Sequence, residues 1–103
     1  MWAQLISARL KPGKEGELAT LAEQVQAAEQ LGSGLLRSTF MQDQNDPSRV
    51  YMLVVFDSEE HARAREQDQR REQGLQVARA TMAEIFAGPP EFTDLVVVND
   101  FVD

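Results

Sequence analysis

A chain of 103 residues holds one domain with one core, and a domain this small buries only about two thirds of its unfolded surface, so self-association would add stability. A formal charge of −7, from 17 acidic and 10 basic side chains, argues against nucleic acid or an anionic membrane surface as a partner. The absence of cysteine excludes disulfides, thiolate catalysis and thiolate metal sites, no apolar run approaches the roughly 20 residues of a membrane span, and Met1 to Ile6 carry no basic leader, so a cytoplasmic protein is expected.

Residues 2 to 10 alternate as a strand, with Ile6, Ala8 and Leu10 on one face and Ala3, Leu5 and Ser7 on the other, and Lys11-Pro12-Gly13-Lys14 ends it. From Glu15, apolar residues at Leu18, Leu21, Ala22, Val25 and Ala28 follow helical spacing, and Gly32 marks the stop. Leu35 to Gln42 and Val50 to Phe56 read as two strands of a hairpin around Asp43-Gln44-Asn45-Asp46-Pro47-Ser48. The second of them is apolar on both faces, with Tyr51, Leu53 and Val55 alternating with Val50, Met52, Val54 and Phe56, which predicts a central strand.

Asp57 and Glu60 are spaced as a capping box at the start of a second helix near Ser58. A break is predicted at Gly74, after which Leu75, Ala78, Met82, Ile85 and Phe86 form an apolar stripe that ends at Gly88-Pro89-Pro90. Phe92 to Val102, with the run Leu95-Val96-Val97-Val98, is predicted as a buried last strand. The order βαββαβ gives an α+β, ferredoxin-like fold, a four-stranded antiparallel sheet with both helices on one face. The uncovered face is apolar at its centre, which predicts a homodimer through sheet faces; Arg37, Ser38 and Thr39 are the argument for a monomer.

The element order, Lys11-Pro12-Gly13-Lys14 after strand one, Phe56-Asp57-Ser58-Glu59-Glu60 before helix two and Phe86-Ala87-Gly88-Pro89-Pro90 at its end together resemble the antibiotic biosynthesis monooxygenase family over nearly the whole chain. The resemblance implies a dimeric α+β barrel, with a pocket inside each subunit between sheet and helices. It also implies a functionally mixed family of cofactor-free oxygenases, haem-degrading enzymes, an isomerase and proteins without assigned function. Many members are similar in a Trp where this chain has Phe56 and a His where it has Arg65 or Glu66, and haem-degrading members in an Asn on strand one, near Gln4 to Ile6. With all three different, haem degradation is not expected.

Three polar residues are candidates for chemistry. Arg65 points inward if helix two keeps the phase the resemblance implies, and it would hold a carboxylate, phenolate or enolate; otherwise it is an exposed Arg paired along its helix. His61, the only histidine, is a candidate proton acceptor or a solvated residue of a first helical turn. Tyr51 is a candidate donor to a substrate oxygen or a core residue whose hydroxyl reaches the surface. Trp2, Met52, Phe56, Met82 and Phe86 are candidate pocket walls or plain packing residues.

Arginines between Arg63 and Arg71 are interleaved with Glu66 and Asp68, which suits a solvated face better than a nucleic-acid site. One His and no Cys leave no metal-ligand pattern, and no phosphate loop, Gly-x-Ser-x-Gly elbow or dinucleotide fingerprint occurs, so no cofactor is expected. The functional expectation is a cofactor-independent monooxygenase acting on a small aromatic or quinol-like ligand. The alternative is a non-catalytic ligand-binding or structural dimer.

Overall fold

The computed structural model describes all 103 residues, from Met1 to Asp103. Four strands, β1 (Trp2–Arg9), β2 (Leu35–Gln42), β3 (Arg49–Phe56) and β4 (Glu91–Val96), form one antiparallel sheet in the order β2-β3-β1-β4. A single 3-10 turn (Glu15–Glu17) leads into α1 (Leu18–Ala27); α2 (Glu59–Glu66) and α3 (Gln69–Ile85) connect β3 to β4. This is the expected α+β, ferredoxin-like arrangement, with β3 central as its two apolar faces require. No helix is long and apolar enough to cross a membrane.

The second helical segment breaks elsewhere than predicted. The chain turns at Gln67 and Asp68, where the Asp68 carboxylate accepts from the Arg70 N–H and caps α3. Gly74 lies inside α3, and its reason is a close approach: a Cβ there would sit 2.9 Å from the Ala28 Cβ. The glycine spends about 1 kcal/mol of helix propensity to let α1 and α3 pack backbone to backbone. The start of α2 also differs, because Ser58, not Asp57, is the cap and accepts from the His61 N–H.

Antiparallel register places directly paired residues on the same face. The helix-facing side carries Trp2, Gln4, Ile6 and Ala8 of β1 opposite Phe56, Val54, Met52 and Val50 of β3. Its main core joins Leu10, Leu18, Leu21, Val25, Val50, Leu75, Ala78 and Ile85, and a second cluster at the other end joins Trp2, Val54, Phe56 and Ala62. The opposite side has no helix: Leu5 pairs with Leu53, Ala3 with Val55 and Leu95, and Ser7 with Tyr51. Strand β4 is an edge strand with every residue exposed, contrary to the predicted buried run, and it stops at Val96 so that Val98, Phe101 and Val102 lie in solvent beyond it.

Candidate functional site

A cavity of about 460 Å³ lies between the sheet and the helices. That is far beyond a packing void in a close-packed interior and within the roughly 300–1,000 Å³ of small-molecule sites. Its floor is a row of four apolar side chains, one from each strand, in direct register: Phe40 opposite Met52, Met52 opposite Ile6, and Ile6 opposite Phe92. Leu18, Leu21 and Val25 of α1 form one wall. The other is a stripe of α3, Arg71, Leu75, Arg79 and Met82, whose spacing of three or four residues keeps them on one side of the helix. Phe86 and Pro90 close the end beyond α3.

Three arginines that line the cavity, Arg65 of α2 and Arg71 and Arg79 of α3, differ in how they are satisfied. Arg65 lies with only 9% of its side chain exposed; its Nε and Nη2 donate to Glu29 Oε2 at 2.9 and 2.7 Å, and its guanidinium lies 5.2 Å from the centre of the Phe56 ring. Burial pushes the Glu29 carboxyl up, but hydrogen bonds from Arg65 and Ser33 outweigh it and hold the carboxyl below its ordinary value. Arg79 is likewise held by both oxygens of Glu72. Arg71, one turn before Leu75 on the stripe, makes no hydrogen bond or ion pair. Burial, then the nearby charge of Arg65, lower its affinity for its proton. Glu66 also lines the cavity, with its carboxylate bonded outward to Arg63 at 3.1 Å.

The structure thus brings Arg65, Met52, Met82 and Phe86 to one cavity. Tyr51 borders it, but strand alternation sends its side chain to the bare face beside Leu53. Trp2 and Phe56 do not line it: they pack on each other, ring centres 6.1 Å apart, with the Arg63 guanidinium 5.0 Å from the Trp2 ring. His61 is outside the cavity and half exposed, its Nδ1 2.6 Å from Asp57 Oδ1. That hydrogen bond raises the imidazole above its ordinary value and lowers Asp57. Sequence reasoning missed Phe40, Phe92 and Arg71. The first two were legible as strand residues in phase with Ile6 once register was known, and Arg71 as the residue one turn before Leu75 on the apolar stripe.

No three acidic or histidine side chains converge as a metal-binding group. The model of the antibiotic biosynthesis monooxygenase family matches residues 1–74. The chain belongs to the antibiotic biosynthesis monooxygenase family. Solved structures agree in fold. A Nitrosomonas europaea protein named for the same family superposes with a TM-score of 0.76 at 18% identity, over 96% of this chain and 100% of its own. A Bordetella bronchiseptica protein of the same name gives 0.75 at 19%, over 95% and 97%. A second Nitrosomonas europaea protein, described as of unknown function, gives 0.74 at 21%, over 99% and 93%. No curated protein matches the sequence. At these identities the antibiotic biosynthesis monooxygenase relatives speak for the fold, and any chemistry has to be argued from the cavity.

Proposed function

We propose that this protein is a cofactor-independent monooxygenase of a small aromatic or quinol-like substrate, working as a homodimer. The observation that carries the reading is the apolar floor Phe40-Met52-Ile6-Phe92, a flat surface suited to a planar ring system. Met82 and Phe86 lie against the same space from the helical side. In such a site the protein excludes water and orients an electron-rich anion, which itself passes electrons to oxygen. For a methylene substrate, one oxygen atom enters as a carbonyl, the other leaves as water, and the four electrons come from that carbon. The anion must be stabilised by a fixed cation. Arg65 borders the cavity but its guanidinium is already held by Glu29, Tyr51 borders it with its side chain on the bare face, and His61 lies outside it.

The carboxylate on the inner wall, Glu66, is bonded to Arg63, which supports a second reading, a ligand-binding dimer without turnover. Oxygen consumption by the metal-free protein against anthrones, hydroquinones and related phenols separates the two. Protein-dependent uptake is expected; a folded protein that binds these compounds without uptake belongs to the second reading. The dimer would form by stacking the bare sheet faces around Leu5, Leu53, Val55 and Leu95, as a monomer seldom leaves such a patch in water.

A further inference from the structure

The charges around the cavity do not balance locally. On the helical wall three guanidiniums, those of Arg65, Arg71 and Arg79, meet two carboxylates, those of Glu29 and Glu72. Each carboxylate is taken by a two-point grip, Glu29 by Arg65 and Glu72 by Arg79. Arg71 is left with five N–H donors and no acceptor in the protein. Glu66, the remaining acid on the cavity wall, is turned to Arg63.

A guanidinium with no hydrogen-bonded acceptor, which feels Glu29 and Glu72 only through space, is unusual here for two reasons. The chain as a whole is acidic, at −7, so carboxylates to pair with Arg71 are abundant. Leu75 stands one turn further along the same stripe and is buried, so Arg71 is set beside apolar surface, where an unpaired charge is expensive and a partnered one strong. Exposed arginines elsewhere on these helices are all paired: Arg63 with Glu59, Glu66 and Asp94, and Arg70 with Asp68.

We infer that the cavity takes a compact organic anion, its ionised head group bonded by Arg71 and its apolar body lying on the floor made by Phe40, Met52, Ile6 and Phe92. Arg65 and Arg79, each already paired with a carboxylate, hold the wall that presents Arg71. Burial and the Arg65 charge both disfavour the lone cation, and a bound anion relieves both effects at once. This rests on the cavity being the ligand site, as proposed above, and adds the charge of the ligand and the residue that reads it.

The test compares two probes of one shape, 2-naphthoate and neutral 2-naphthamide, by isothermal titration calorimetry on the whole chain. The naphthoate is expected to bind about tenfold or more tightly, the ratio a charge-assisted hydrogen bond supplies. Arg71→Met should bring the two probes to equal affinity, Arg71→Lys should keep part of the preference, and Arg70→Met, on the exposed side, should change nothing. Circular dichroism confirms that each variant is folded, and the lysine variant carries the test should the methionine variant not fold. If the two probes bind the wild type alike, or if the preference survives Arg71→Met, the inference fails while the cavity stands as a ligand site. Binding of neither probe would overturn the ligand-site reading with it.

Discussion

Glu29 and Arg65 illustrate how a side chain chosen from sequence can turn out to be part of the frame. The pair is 9% and 21% exposed, and removing one partner would strand a charge in a low-dielectric place. Glu29→Gln is expected to destabilise the fold by about 2 kcal/mol, below the roughly 3–5 kcal/mol of a fully buried pair, measured by urea denaturation. Since the folded Glu29 carboxyl lies below 4.5, its contribution is complete above about that pH and is lost as pH falls through the folded value. The loss on mutation should therefore shrink in acid. His61 behaves in the opposite sense: its folded value is raised above 6.5 by Asp57, so the pair stabilises below that pH and fades as pH rises through the raised value. An NMR titration of the imidazole should show that raised value in the wild type and a return toward 6.5 in Asp57→Asn; an unshifted His61 would contradict the contact. The sequence offered Arg65 either as inward or as an exposed Arg paired along its helix and did not name its partner, because Glu29 is distant along the chain and nothing local marks the pairing. Arg71 was hidden for the same reason, since an unpaired charge is visible only after all the pairs are known.

At the scale of elements, local signals were read well where they depend on neighbours in sequence and poorly where they depend on packing. The alternation in β1 and β3, the hairpin turn and the stripe on α3 were all legible, because each reflects a periodic face. The helix break was misplaced because Gly74 looks like a breaker, whereas it is a contact: Ala28 occupies the space a side chain would need. Gly74→Val should push α1 off α3 and destabilise by about 1–3 kcal/mol, the range of overpacked cores. An unchanged or raised melting temperature would show that the two helices do not meet as closely as described. Gly34 makes a similar case next to β2, with φ +86° and a would-be Cβ 2.6 Å from Asp57 Oδ1. Gly34→Ala is expected to lose about 1–2 kcal/mol from the left-handed backbone alone. β4 was misjudged because a β-branched run predicts strand, not depth; Glu91–Val96 is a strand at the sheet's open edge.

The whole molecule leaves one side of its sheet bare. Only 14 residues are buried, and Leu95 and Met41 are exposed on that side with Leu5, Leu53 and Val55 between them, which is why a second copy is the natural cover. Light scattering should give twice the 11.6 kDa of one chain, and Leu53→Asp should give the monomer with a lower melting temperature. A wild-type monomer at micromolar concentration would overturn the dimer. The cavity belongs to one subunit, bounded by all four strands, α1 and α3, so it does not depend on that outcome for its walls. The measurement that bears most directly on the account is oxygen uptake by metal-free wild type and by Ile6→Trp, which fills the cavity floor and whose folding is checked by circular dichroism, against anthrones and hydroquinones. Protein-dependent uptake by the wild type that is lost in Ile6→Trp is the predicted result; no uptake by the wild type, or equal uptake by both, would contradict oxygenation in this cavity.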